Sequence, residues 1–230
     1  MKSDKKILAG KVKQAVILAG GVNSRMLPIS KIIPKIMLPL GRKLAIEYLI
    51  EECLNSGISY IYIVVGGKDS LIEKYFKPNL EIATCLQKRN KIEALKRLEE
   101  IESLSKYLKF IIQDNPQGEA DALISFVEKC NYSGPLAVLL GDMVIDQNKM
   151  PVLKQLLNKP VDGKHLLLSD GRLVLTKKGI ELCKERYGIN KRLDIRIMDL
   201  FKNSEKVFYD VEGRKIKLGS LEDYEKNFSL

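Results

Sequence analysis

The stretch Ala15-Val-Ile-Leu-Ala-Gly-Gly21-Val-Asn-Ser-Arg25-Met-Leu-Pro-Ile-Ser-Lys-Ile-Ile-Pro-Lys35-Ile-Met-Leu-Pro39 joins a continuous apolar run, a double-glycine turn and two cations at fixed spacing. Five apolar residues that empty into glycine read as a buried strand. Gly20 and Gly21 lack a β-carbon, so backbone N–H groups there can approach a triphosphate. Arg25 and Lys35 carry charge that can neutralise phosphoryl oxygens as a bond breaks. Together they outline a nucleotide site on the first turn of a doubly wound sheet. The plainer structural reading keeps the strand and turn and leaves the cations solvated. No Gly-Lys-Ser/Thr follows, so the loop is not a Walker A loop, and the Gly-x-Gly-x-x-Gly dinucleotide fingerprint is absent.

Further along the chain, apolar runs at Ala15–Ala19, Tyr60–Val65, Lys109–Ile112, Leu136–Leu140, Leu166–Leu168 and Lys206–Asp210 alternate with helical patterns. That alternation predicts an α/β fold with a mostly parallel sheet. Leu44–Ser56 has helical spacing and closes on Gly57. Glu81–Tyr107 reads as a charged helical hairpin facing solvent. The 230 residues suit one large domain, with 1–148 as a nucleotide-binding portion and 149–230 as the remainder.

A net charge of +10 invites a polyanion partner. The lysines are dispersed and no stacking-aromatic motif accompanies them, so nucleotide phosphates account for the charge and no nucleic acid is expected. No run has the length of a membrane span and the Lys-rich start lacks a signal-peptide core, which predicts a cytoplasmic protein with no membrane partner. Cys53, Cys85, Cys130 and Cys183 form no Cys-x-x-Cys pair, and the single His165 reads as structural.

The opening stretch resembles the Leu-Ala-Gly-Gly-x-Gly-Thr-Arg signature, with its following Pro-Lys, of sugar-1-phosphate nucleotidyltransferases. Asn23 stands at the third glycine and Ser24 at the threonine; Asn tolerates positive φ best among non-glycine residues. Gln113-Asp-Asn-Pro116-Gln-Gly118-Glu-Ala-Asp121-Ala resembles the family's second motif, and Leu139-Leu-Gly-Asp142 its third. The stretches Tyr75–Glu81 and Leu86–Lys91 are similar to a helical insertion of UTP–glucose-1-phosphate uridylyltransferases. So are Gly171-Arg-Leu-Val-Leu175, Asp194–Asp199 and Gly219–Tyr224 to segments near their end.

The resemblance implies the Rossmann-like nucleotide-diphospho-sugar transferase fold, UTP or dTTP and a sugar 1-phosphate as substrates, Mg2+ as cofactor, and self-association. Leu18, Ala19, Gly20 and Gly21 would shape the nucleotide loop, while Arg25 and Lys35 would act on the phosphates. Gln113 and Gly118 would read the base and Asp142 would hold the metal. The chain departs from the family at two places. Lys217 occupies the position of a second metal-binding Asp, and an ammonium cannot ligate Mg2+. A deletion between Asp142 and Leu166 reduces the sugar-binding lobe. There Asn158-Lys159-Pro160 is either the remnant of a sugar-phosphate motif, with Lys159 on the phosphate, or the end of a helix over Met150–Lys159. A non-catalytic member that binds nucleotide or a catalytic paralogue is the alternative to an enzyme.

Overall fold

A computed structural model describes residues 7–21, 23–67, 71–114, 116–146, 150–189 and 193–227. Val22 of the glycine loop, Asn115 of the second motif and Asn148, at which the nucleotide-binding portion is expected to end, lie outside them. The first strand β1 (Gln14–Leu18) is followed by the short hairpin β2 (Pro39–Leu40) and β3 (Lys43–Leu44), then by helix α1 (Ala45–Asn55) and strand β4 (Tyr60–Gly66). The end of α1 is closed as its glycine predicts: Gly57 N–H donates to Leu54 O and Ile58 N–H to Cys53 O.

Helices α2 (Leu71–Phe76), α3 (Leu80–Lys88) and α4 (Ile92–Ser103) lead to β5 (Leu108–Gln113), and α5 (Glu119–Lys129) leads to β6 (Leu136–Leu140). The chain continues through β7 (Met143–Asp146), α6 (Val152–Leu157), β8 (Leu166–Ser169), β9 (Arg172–Leu175) and α7 (Lys177–Ile189). It ends with β10 (Lys206–Phe208), β11 (Arg214–Lys217) and α8 (Leu221–Glu225). All six strands read from the apolar runs are present, with ends moved by one or two residues.

Seven strands form one sheet in the order β10-β8-β9-β6-β1-β4-β5. β1 lies parallel between β4 and β6, with Ala15 opposite Ile61 on one side and Ala137 on the other. β9 alone runs antiparallel to its neighbours β6 and β8. Side chains alternate across the sheet, so each strand feeds two cores. Ala15, Ile17, Ile61, Ile63 and Leu139 face α1, α2 and α6, whereas Val16, Leu18, Val64 and Val138 face α5 and α7. This two-faced burial explains why the strands read as unbroken apolar runs rather than as alternating ones.

The α3–α4 hairpin has no fully buried residue, as its charge pattern predicts. It is anchored at its base, where Arg97 pairs with the buried Glu47 of α1 and Tyr75 Oη donates to the same carboxylate at 2.9 Å. The ribbon of β7 and β11 is not legible as apolar runs: Arg214-Lys-Ile-Lys217 holds a single apolar residue, Ile216, which alone enters the core. A fully buried ion pair joins α1 to β9, with Arg172 fully buried and Glu52 1% exposed. Arg172 also donates to the carbonyls of Met143 and Gly171, while Glu52 Oε1 accepts the N–H of Leu153 on α6.

Candidate nucleotide-binding cleft

β1, β5 and β6 all end on the same edge of the sheet, the carboxyl edge at which ligands bind in open α/β folds. An open cleft of ≈ 150 Å³ lies there. Leu18, Gly20 and Gly21 line it from the end of β1, Gln113 from β5, Gly118 and Glu119 from the start of α5, and Leu140, Gly141 and Asp142 from β6. Lys35 enters from the short helical turn Lys35–Met37. A second hollow of ≈ 350 Å³ adjoins it and shares Gly20, Gly21 and Pro116, with Ala19 and Asn23 on its wall.

Of the ten residues that the sequence nominates, Leu18, Gly20, Gly21, Lys35, Gln113, Gly118 and Asp142 meet in the first cleft, and Ala19 lines the second. Arg25 is exposed at the rim, where a β-carbon at Gly219 would stand 3.9 Å from its Nη2. Lys159 is not brought to the cleft. Leu153, Leu156 and Leu157 bury α6 against the sheet, and the helix carries Lys159 away from Asp142 to the vicinity of Tyr209, 5.6 Å from its ring centroid. Pro160 then bridges to Ile7. Asn158 is the C-terminal cap of α6, which is shorter at both ends than the Met150–Lys159 helix expected, and Lys159 lines neither hollow.

Local geometry explains several residue types. Asn23 adopts φ +50° and ψ +42°, the left-handed conformation that the loop needs at this position. At Gly20 a β-carbon would lie 2.8 Å from Gln113 Oε1, so the loop and the buried amide can touch only without one. Gly118 has φ +116°, and a β-carbon there would meet Asp194 Cα at 2.7 Å. The segment behind it is tied down by Asp194 N–H to Gln117 O and Ala120 N–H to Ile195 O, both 2.9 Å. Gly118 is thus demanded by packing of the chain itself.

The electrostatics converge on Lys35. Burial pushes its ammonium below the usual lysine value, Asp142 opposes that shift and Arg25 adds to it. Glu119, which sequence reasoning passed over, is raised by burial and by Asp142, while the N–H of Ile197 at 2.9 Å opposes the rise. Its signal was a carboxylate in the first turn of α5, directly after the glycine. Also missed is the role of Asp121, whose carboxylate receives the Gln113 amide and, at 2.8 Å, Tyr187 Oη.

Lys217 sits opposite Met143 in the β7–β11 ribbon, and the next residue, Leu218, donates its N–H to Asp142 O at 2.7 Å. The Lys217 side chain is exposed. Asp142 and Glu119 are the carboxylates that line the cleft, and no cluster of three or more candidate metal ligands occurs among the described residues. That sparse donor set suits Mg2+, which keeps water and substrate phosphates in its shell and needs few protein carboxylates.

A mostly parallel sheet with a glycine loop, a buried amide, a lysine and a carboxylate at its carboxyl edge defines a doubly wound α/β protein with a candidate ligand cleft. The nucleotidyl transferase family matches residues 14–169, and the chain belongs to that family. It is 40% identical over 147 residues to the UTP–glucose-1-phosphate uridylyltransferase of Mycoplasma genitalium, covering 64% of this chain and 49% of that protein. Identity is also 40% over 151 residues to UTP–glucose-1-phosphate uridylyltransferase 2 of Streptococcus pyogenes serotype M3, covering 64% and 50%. The chain spans about half the length of these curated relatives. Its fold is that of a UDP-glucose pyrophosphorylase from Acinetobacter baumannii, with TM-score 0.81, 22% identity and coverage of 94% and 92%. An apo UDP-glucose pyrophosphorylase matches with TM-score 0.77, 25% identity and coverage of 94% and 97%. No helix of the described residues is long and apolar enough to cross a membrane.

Proposed function

We propose that the protein joins a nucleoside triphosphate, UTP or dTTP, to a sugar 1-phosphate, releasing pyrophosphate and forming a nucleoside-diphosphate sugar. One observation carries this reading. Residues from three separate stretches of sequence, Gly20 and Gly21 with Lys35, Gln113 with Gly118, and Asp142, line a single cleft. The reaction is in-line attack of a sugar-phosphate oxygen on the α-phosphorus, with pyrophosphate leaving. Catalysis of such a transfer rests on positioning and charge neutralisation rather than on a covalent intermediate. The glycine loop receives the nucleotide, Gln113 and Gly118 bound the base, Lys35 holds the reacting phosphates and Arg25 at the rim meets the departing pyrophosphate. Asp142 would hold Mg2+ together with phosphate oxygens, and the ion would supply charge neutralisation at the α-phosphate.

The test is pyrophosphate release from UTP and dTTP with Mg2+ against a panel of sugar 1-phosphates, with calorimetry of nucleotide binding alongside. Release with at least one pair is expected. Folded protein that binds neither nucleotide overturns the reading.

A second reading, nucleotide binding without turnover, is favoured by Lys217 on the strand beside Asp142. The substitution Lys217→Asp separates the two. In a silenced member the added carboxylate should tighten Mg2+-dependent UTP binding by about tenfold, since one further carboxylate is a large fraction of a Mg2+ site. In a working enzyme that uses the ammonium beside the phosphates, the same change should lower turnover.

A further inference from the structure

We infer that Asp121, braced by Tyr187, fixes the orientation of the Gln113 amide and so makes the cleft select uracil or thymine over cytosine, an inference that rests on the nucleotide-binding reading above. Gln113 closes β5 and is 2% exposed. Its Nε2 donates to Asp121 Oδ2. A carboxylate oxygen only accepts, so the amide cannot be turned over without setting oxygen against oxygen. Oε1 is left facing Gly20, close enough that a β-carbon there would stand 2.8 Å away.

The carboxylate is itself held from two sides. Tyr187 Oη on α7 donates to Asp121 Oδ1 at 2.8 Å, and Gln117 N–H reaches Oδ2 at 3.4 Å. Burial and the Asp121 bond push the Tyr187 phenol up to about 12, so it stays a donor. One amide is therefore positioned by β5, α5 and α7 together.

Orientation matters because the pyrimidines differ by an inversion of donors and acceptors. Uracil and thymine present an N–H at N3 next to a carbonyl, which an amide matches with its oxygen and its second Nε2 hydrogen. Cytosine presents a lone pair at N3 next to an amino group and needs the amide turned over. With the amide locked, cytosine would leave its polar edge against like groups, the arrangement that specificity for hydrogen-bonded substrates exploits. The 5-methyl group lies outside this pattern, so uracil and thymine are treated alike. Asp121 is a positioning residue, acting on the base through Gln113.

Calorimetry of UTP and CTP binding to wild-type protein and to Asp121→Asn tests this. Wild-type protein should bind UTP at least about tenfold more tightly than CTP. Asparagine can turn either end of its amide toward Gln113, so in D121N the ratio should fall to about threefold or less. A merely structural role for Asp121 would weaken both nucleotides in proportion and leave the ratio alone. An unchanged ratio in a folded D121N overturns the inference, as does a wild-type protein that binds UTP and CTP equally. Should D121N fail to fold, Asp121→Ser takes its place: a hydroxyl can donate or accept, so the ratio should fall in the same direction, and an unchanged ratio in that folded variant overturns the inference. Wild-type protein that binds neither UTP nor CTP overturns the nucleotide-binding reading itself, a result distinct from binding without discrimination.

Discussion

Lys35 is half-buried near Asp142 and Arg25, whereas Lys91 stands exposed between α3 and α4. Lys35→Ala should weaken UTP binding by about tenfold or more, because a charge-assisted contact in a partly desolvated cleft is lost. Arg25→Ala should act in the same direction, and Lys91→Ala should change affinity by no more than about twofold, as solvent screens an exposed charge. Calorimetry of the three variants checks this; equal effects would mean that general basicity drives binding. The depressed value of Lys35 also gives a pH dependence. Phosphates beside the ammonium favour its charged form, so binding takes up a proton once free Lys35 has lost it. UTP affinity should therefore fall as pH rises through the depressed value, below the ordinary 10.5. In Lys35→Ala that fall should disappear, and a wild-type affinity that stays flat over the same range would contradict the assignment.

At the scale of elements, the Glu52–Arg172 pair ties α1, β9, α6 and the start of β7 into one unit just beneath Asp142. Arg172→Leu leaves the Glu52 carboxylate buried without its partner, which should cost about 3–5 kcal/mol of stability. The double variant with Glu52→Leu should lose less than the two single changes summed, since it removes the uncompensated charge as well. Urea unfolding of the three variants measures both quantities, and simple additivity would show that the two side chains do not depend on each other. The pair also shows what a periodicity reading overlooks: Arg172 lies in a four-residue strand whose every residue is buried, and charge alone marks it as surface. Its partner is 120 residues away in sequence.

For the whole molecule, the +10 charge is spread over the chain rather than gathered on one motif. Retention of RNA at low salt should therefore be non-specific and vanish by about physiological ionic strength, where exposed charges more than about 8 Å apart are screened. UTP affinity, which on the proposed reading rests on contacts within the partly desolvated cleft, should survive the same change. Titrations of both ligands across salt decide this, and RNA binding that outlasts UTP binding would shift weight to a polyanion partner.

The sequence by itself determined the apolar runs of six of the seven strands, the glycine loop, the left-handed Asn23 and the Gly57 helix end, because each is encoded within a few residues by burial or by backbone freedom. It also marked Lys35, Gln113 and Asp142, which stand at strand ends or just after a turn. Tertiary structure alone decided what brings them together. The carboxyl ends of β1, β5 and β6 become neighbours only through the strand order, and Gly118 must be glycine because Asp194, far along the chain, packs against it. The lock of Gln113 by Asp121 and Tyr187 and the exclusion of Lys159 from the cleft depend likewise on how α5, α6 and α7 pack on the sheet. Contacts between distant residues leave no local pattern, so neither periodicity nor motif spacing could disclose them.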